Sequence, residues 1–227
     1  MKLAALIDMN WKLLNVLSRF GIGLGFGENT ISEVCERQGI DQNAFLLICS
    51  IYTYEDYIPS AEMLAGADPL TIVTYLHNSH SFYQDKEFAS LEKNIKAMLA
   101  PCDSRQKDIV IKFFANYKAQ VENHFEYEEE VVFPYVRALV SGEPCKGYAI
   151  EQFEENHSDI DGALSDLKNI VMKYLPDTCE TVLRNEVLYK IFRLEEDLAR
   201  HTVVEDSALI PIVNRIEGFS SEKEQGL

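Results

Sequence analysis

HFEYEEEVVFP, at residues 124–134, is a segment that the chain repeats in outline as HTVVEDSALIP, at residues 201–211. Each copy begins with a histidine, has a glutamate four residues later and has a proline six residues after the glutamate. The matching residues of the two copies are 77 positions apart. Residues four apart are neighbours on a helix surface, so each segment predicts a helix that presents a histidine and a carboxylate together.

The same offset extends the repeat to further histidines. It carries His80 onto His157, whereas it carries His77 onto Glu154. The spacing to the next histidine is then 44 residues in both copies. The repeat therefore selects His80 rather than His77, which we interpret as an exposed polar residue or a neighbour of the ligands. It predicts two copies of one helix pair.

Four long helical patterns follow residue 68, and the connections between them are short. Because short connections make neighbouring helices antiparallel, we predict an all-α fold with an up-down-up-down four-helix bundle. Proline and glycine mark the helix ends. The predicted helices span approximately 69–99, 104–141, 148–175 and 179–217.

The first part of the chain predicts a small helical N-terminal domain, residues 1–60, followed by a linker at 61–68, the bundle at 69–218 and a tail at 219–227. Thr30-Ile-Ser-Glu33 is a capping box that opens a short helix. The GIGLGFG loop at 21–27 resembles a phosphate-binding loop, but no strand precedes it as the dinucleotide fingerprint requires. We interpret it as a tight structural turn.

Each predicted bundle helix has one apolar face with the spacing of an amphipathic helix. A histidine lies within each face, and in two helices a glutamate follows it by one turn. In chain order the predicted faces are Val73, Leu76, His80, Tyr83, Leu91 and Ile95; Val110, Phe113, Tyr117, Val121, His124, Glu128, Val131 and Tyr135; Phe153, His157, Ile160, Leu164, Leu167 and Val171; and Leu183, Val187, Ile191, Leu194, Leu198, His201, Glu205, Leu209 and Ile212.

Six residues of ligand type are thus predicted on apolar faces. Burying a polar group costs free energy unless it has a partner, and a single histidine on such a face is in most proteins a hydrogen-bonded core residue. A metal ion satisfies imidazoles and carboxylates together. We therefore predict a site for two metal ions whose ligands are His80, His124, Glu128, His157, His201 and Glu205.

The donor types limit the choice of metal. Nitrogen and oxygen donors without thiolate disfavour structural zinc, and the set offers too few oxygens for calcium. If Glu128 and Glu205 bridge the ions, each ion receives two histidines and two carboxylate oxygens. The remaining positions can take oxo, hydroxo, water or a small gas. Two iron ions fit best, and manganese is the second choice.

Composition excludes several classes of partner and site. The formal charge is −16, and no concentrated basic face is visible, so we expect no nucleic-acid partner and no anionic membrane surface. No apolar run approaches the ~20 residues of a membrane span, and no signal peptide is recognised. Scattered cysteines without a C-x-x-C pair indicate a reducing compartment, so a cytoplasmic location is predicted. The cysteines are Cys35, Cys49, Cys102, Cys145 and Cys179.

The pattern H…H-x-x-x-E…H…H-x-x-x-E on four helices resembles the haemerythrin-like di-iron domain, over about residues 68–217. It is most similar to the branch of iron–sulfur cluster repair (RIC-type) di-iron proteins. Two short segments, Leu17-Ser-Arg-Phe20 and Thr30-Ile-Ser-Glu-Val34, resemble the small helical domain of that branch. The resemblance implies a site of four histidines and two bridging glutamates, which correspond to the six predicted ligands.

Two departures from the family pattern bear on function. The N-terminal loop of the branch usually has adjacent cysteines, whereas here it reads Gly25-Phe26, so a cysteine-dependent step is in doubt. Oxygen-carrying haemerythrins have a further histidine one turn after the third-helix ligand, and here that position is Asp161. Asp161 is either an extra ligand, an acceptor for an imidazole N–H or a solvated residue. Its identity disfavours reversible oxygen carriage.

The resemblance implies a cytoplasmic di-iron protein of the nitrosative and oxidative stress response. It would help repair damaged iron–sulfur clusters in client proteins, or react with small diatomic or oxygen species. A di-iron sensor of oxygen, nitric oxide or redox state is the alternative, and whether the protein is an enzyme stays open. The apolar residues within 1–20 fit either a homodimer interface or packing against the bundle.

Overall fold

The computed structural model describes residues 1–143, 147–156, 161–176 and 179–225, and their side chains except those of 154–163 and 219–225. All regular elements in these ranges are helical, which confirms the predicted all-α class. The N-terminal part contains α1 (Leu3–Met9), α2 (Leu13–Arg19), α3 (Ile31–Gln38), α4 (Gln42–Thr53) and α5 (Ala61–Gly66).

The later helices follow the predicted spans, and π-helical turns interrupt three of them. The first consists of α6 (Pro69–Phe82), π1 (Tyr83–Phe88) and α7 (Ala89–Met98). The second consists of α8 (Ser104–Tyr127), π2 (Glu128–Val132) and α9 (Phe133–Val140). The third is described as α10 (Glu151–Asn156) and α11 (Asp161–Lys173). The fourth consists of α12 (Thr181–Val204), π3 (Glu205–Leu209) and α13 (Ile210–Gln225).

Local sequence signals account for the helix boundaries. Thr30 and Glu33 form the predicted capping box at the start of α3, and Gly39 ends that helix with φ +67°, a conformation that costs glycine least. The Asp41 side chain accepts the Ala44 N–H at 2.8 Å and caps α4. These side chains satisfy backbone groups that helix ends leave without intrahelical partners.

The chain forms two compact units. The first comprises Met1–Ser79, Glu129–Asn156 and Arg200–Leu227, and the second comprises His80–Glu128 and His157–Ala199. In the first unit α2, α3 and α5 contact α4, and α13 contacts α5, α9, α10 and π3. The predicted linker at 61–68 contains α5, and the predicted domain boundaries stay a prediction.

The second unit has a core of aromatic and aliphatic side chains contributed by π1, α7, α8, α11 and α12. The Phe88 ring meets Phe114 and Tyr117 edge to face, with ring centroids 6.5 and 6.3 Å apart. Helix α7 contacts α8, and α8 contacts α11. Helix α8, which carries the predicted ligand His124, contributes Val110, Phe114, Tyr117, Val121 and Phe125 to this core.

The predicted apolar faces are confirmed at most described positions, but the second helix departs from its prediction at three. Phe113 is 40% exposed and Phe114 is buried instead, because a helix can continue its face at either three or four residues from Val110 and here uses four. Val132 and Val136 are buried in place of Val131 and Tyr135. The wide turn of π2 adds a residue between Glu128 and these positions and so shifts the face by one.

A buried arginine connects the N-terminal helices with α6. Arg19 is 2% exposed, and its Nη1 donates to the hydroxyl oxygens of Tyr52 at 2.8 Å and Tyr75 at 3.2 Å. The Asn78 side chain donates to the Arg19 carbonyl at 2.7 Å. Because a buried charge is costly without hydrogen-bond partners, this cluster fixes α2 and α4 against the helix that carries His80.

We expect Arg19→Ala to lower the free energy of unfolding by about 2–4 kcal/mol, because it leaves a cavity and removes charge-assisted hydrogen bonds from two tyrosines. The matched control is Arg37→Ala, since Arg37 is exposed on α3. Urea denaturation of both variants measures the difference. Equal stability of the two variants would show that the Arg19 cluster contributes nothing to the fold.

Candidate metal centre

Each described ligand candidate lies close to the point where an α-helix changes to a π-helical turn. His80 is three residues before π1, while Glu128 and Glu205 are the first residues of π2 and π3. His124 and His201 lie in the last turns of α8 and α12, where the α-helical spacing of four residues keeps each on the face of its glutamate. π-Helical turns inside longer helices are frequent at functional sites.

In the second unit, two imidazoles converge on one carboxylate. His80 Nε2 lies 3.1 Å and His124 Nε2 lies 3.5 Å from Glu128 Oε2. Glu128 is fully buried, and the side chains of His80 and His124 are 3% and 8% exposed. The structure therefore brings the two histidines and the glutamate of the first repeat together.

In the first unit, the HxxxE histidine and glutamate of the second repeat are also in contact. His201 Nε2 lies 2.7 Å from Glu205 Oε1, and the two side chains are 1% and 0% exposed. Glu205 begins π3, and buried Ala208 and Leu209 follow it. A histidine and a carboxylate one turn apart are thus buried together again, on a different helix.

Four of the predicted ligands are buried in the part of the chain that the structure describes. They are His80 and Glu128 in the second unit, and His201 and Glu205 in the first unit. Each offers a nitrogen or a carboxylate oxygen that can ligate a metal ion.

The donor separations fit metal ligation. Nitrogen and oxygen ligands lie about 2.0–2.2 Å from a transition-metal ion, so neighbouring ligands on one ion are about 3 Å apart. The three histidine–glutamate distances, 3.1, 3.5 and 2.7 Å, are of this size. A cation also offsets the cost of burying carboxylates, which in an apolar interior is several kcal/mol for each charge. The residues present therefore suit a metal centre.

Aromatic rings close one side of the half-site in the second unit. The Phe125 ring stacks on the His80 imidazole with centroids 4.0 Å apart and an interplanar angle of 15°. Tyr83 stacks on Phe125 at 5.8 Å and 21°. Phe125 gives no signal in the sequence pattern, because it lies one residue after a ligand candidate and was not among the residues of the predicted face. Its packing holds the imidazole plane in a fixed orientation.

The prolines at 134 and 211 account for the position of the wide turns. Proline has no N–H for the carbonyl four residues earlier and its ring crowds that carbonyl. In each copy a π-helical turn begins at the glutamate and ends two residues before the proline. Near the second proline, the Ser207 hydroxyl donates to the Val203 carbonyl at 2.5 Å. From sequence alone, each proline could simply kink its helix. In the structure, each proline instead follows a π-helical turn.

The side chains of two further ligand candidates lie outside the part of the chain that the structure describes. His157 falls outside the described residues, so its role as a ligand stays a prediction. Asp161 begins α11, and its side chain is likewise outside the description. His77 is half exposed, and its Nδ1 lies 2.9 Å from both carboxylate oxygens of Glu129. The choice of His80 over His77 agrees with this burial.

Comparison with known proteins gives one family. The family model of the hemerythrin HHE cation binding domain matches residues 83–213, which is more than half of the chain. The match includes His124, Glu128, His201 and Glu205, and it begins three residues after His80. No curated protein and no solved structure matches the chain. The family description agrees with a metal centre built from histidine and glutamate.

We expect His124→Ala and His201→Ala each to lower metal affinity by at least about tenfold, because each removes a donor and leaves a buried carboxylate without it. The control is His77→Ala, which removes an exposed imidazole and should keep metal. Elemental analysis after dialysis measures the metal bound per chain. Full metal content in both buried-site variants would contradict the assignment of these histidines.

Proposed function

This chain belongs to the family of haemerythrin HHE cation-binding domains, and we propose that it is a non-haem di-iron protein that helps repair iron–sulfur clusters damaged by nitrosative or oxidative stress. The observation that supports the proposal most is the repeated burial of a carboxylate beside imidazole nitrogen. Glu128 and Glu205 are both 0% exposed, each with a histidine Nε2 within 3.1 Å. A bound cation would offset the negative charge of these buried carboxylates.

Two iron ions are the proposed occupants, with manganese second. Pairing of the repeats gives six donors, which suit two ions if both glutamates bridge them. Iron suits mixed imidazole and carboxylate donors and supplies redox chemistry and open positions for a small diatomic or oxygen species. The proposed ligands are His80, His124, Glu128, His157, His201 and Glu205.

The residues around the proposed centre determine which ions and ligands can bind there. The carboxylates of Glu128 and Glu205 supply negative charge that holds cations in an apolar interior. Phe125 covers one face of the His80 imidazole, Tyr83 stacks on Phe125, and together the two rings would restrict the approach of water and larger molecules. The chain as a whole carries a formal charge of −16, which raises the local concentration of cations at its surface. These features favour small ligands and metal ions.

The assignment to cluster repair rests on the similarity to the RIC-type branch. Residues 17–20 and 30–34 support it, as does the order of the ligands along the chain. Iron–sulfur client proteins in the cytoplasm would then be the partners. The loop that carries adjacent cysteines in that branch is Gly25-Phe26 here. Repair would therefore proceed through the metal centre without those cysteines.

A sensor of oxygen, nitric oxide or redox state is the second candidate, and the Arg19 cluster favours it. The cluster connects α2 and α4 to Tyr75 on α6, the helix in which His80 lies five residues further on. A shift of α6 on ligand binding would therefore reach the N-terminal helices directly. Such a protein binds its ligand once and does not consume it.

Purified chain should contain about two iron ions and show oxo-bridge absorption bands between ~300 and ~400 nm, as expected for oxo-bridged iron with these donors. Elemental analysis and an absorption spectrum after aerobic purification measure both. Glu205→Gln should lower the iron content, whereas Glu217→Gln, on α13 but outside the predicted ligands, should leave it unchanged. A chain that takes up only zinc, or a single ion, would overturn the di-iron proposal.

Cluster repair and sensing give different results with an iron-loaded chain. In repair, iron-loaded chain in molar excess over the client restores activity to an iron–sulfur enzyme inactivated by nitric oxide, and Glu205→Gln abolishes the recovery. In sensing, nitric oxide binds to a fixed stoichiometry and the client enzyme stays inactive. Recovery that is equal with free ferrous iron at the same concentration would argue against a repair function.

A further inference from the structure

Two buried cysteines in the second unit lie in contact, far from the metal ligands. The sulfur atoms of Cys102 and Cys179 are 2.7 Å apart, and both residues are buried. Cys102 lies between α7 and α8, and Cys179 lies between α11 and α12. Twenty residues of α8 separate its first residue from His124, which is about 30 Å along the helix. The pair is therefore separate from the metal centre.

The repeat places these cysteines at equivalent positions. They are 77 residues apart, and each precedes the histidine of its HxxxE segment by 22 residues. The 77-residue offset between the two cysteines is visible in the sequence. Two cysteines so far apart form no recognisable motif, so the sequence alone does not indicate that they are in contact. The relation that brings the two histidine–glutamate segments into register thus also brings the two cysteines into register.

The backbone around the cysteines repeats as well. Cys102 N–H donates to the Leu99 carbonyl at 2.9 Å, and Cys179 N–H donates to the Pro176 carbonyl at 3.1 Å. A basic side chain caps each turn: Lys107 Nζ donates to the Ala100 carbonyl at 3.0 Å, and Arg184 Nη2 donates to the Pro176 carbonyl at 2.5 Å. Two turns of one design therefore hold the two sulfurs against each other.

We propose that Cys102 and Cys179 are a redox-modification site that forms a reversible disulfide between the two turns. The oxidant is a small-molecule disulfide such as oxidised glutathione. The Cys102 thiolate attacks one sulfur of the oxidant and releases one glutathione thiolate. The Cys179 thiolate then attacks the Cys102 sulfur and releases the second. The cysteine pair loses two electrons and two protons, and the oxidant becomes two glutathione thiols.

The environment of the pair makes this exchange slow in both directions. Burial and the neighbouring Cys179 thiol raise the pKa of Cys102 to about 11, so the reactive thiolate is scarce at neutral pH. Exchange requires local opening of the turns, and the disulfide once formed is shielded from reductants. The disulfide would therefore form under sustained oxidising conditions and not under brief ones. The closed chain segment of 77 residues would also stabilise the fold.

The test uses the full chain as purified, reduced first and then incubated without oxygen in oxidised glutathione. Denaturation, alkylation and proteolysis without reductant follow, and mass spectrometry maps the cysteines. The expected result is a cross-linked peptide that joins Cys102 to Cys179, with two fewer alkylated thiols. A rise in Tm of roughly 5–15 °C should accompany it, from loop closure of this length.

Matched variants complete the test. Cys102→Ser and Cys179→Ser should each abolish the cross-link and leave the metal content unchanged, whereas Cys49→Ser, at another buried cysteine, should keep the cross-link. The peptide map of the unsubstituted chain decides the question even if a variant does not fold. Alkylation of all five cysteines after incubation, or only mixed disulfides with glutathione, would overturn the proposal.

Discussion

The structure depends on the burial of carboxylates on helix faces that are otherwise apolar. Glu128 and Glu205 have no exposed surface, and an ionised carboxylate transferred from water to such surroundings costs several kcal/mol unless it is compensated. Imidazole nitrogens 2.7–3.5 Å away provide part of that compensation, and a bound cation would provide the rest. Metal binding would then stabilise the folded helices. It would also explain why polar residues interrupt the apolar faces.

One duplicated helix pair explains why several residues that are far apart in the sequence occupy equivalent positions. The offset of 77 residues relates the histidines, the glutamates, the prolines and the cysteines of the two halves. Even the turns before α8 and α12 share a hydrogen-bond pattern and a basic cap. The second unit thus combines a metal half-site at one end of its long helices with a thiol pair at the other.

Much of this architecture could be predicted from sequence, for identifiable reasons. Helix spans followed from capping residues and apolar spacing, and the ligand candidates followed from the repeat. The register beyond Glu128 could not be predicted, because spacing rules assume α-helical geometry and π2 moves burial from Val131 and Tyr135 to Val132 and Val136. Phe125 was missed because its role depends on stacking with a ring from another helix, and no local pattern encodes that contact.

The wide turns have a consequence for how such chains diverge. A π-helical turn is equivalent to a one-residue insertion that the helix has absorbed, and each residue of an α-helix advances the side-chain direction by about 100°. Loss of one residue between Glu128 and Pro134 would therefore rotate the whole of α9 and turn Val132 and Val136 outwards, while the histidine and glutamate upstream kept their places. A one-residue deletion in this short interval would therefore change the register of the buried face, whereas a substitution would leave the register unchanged.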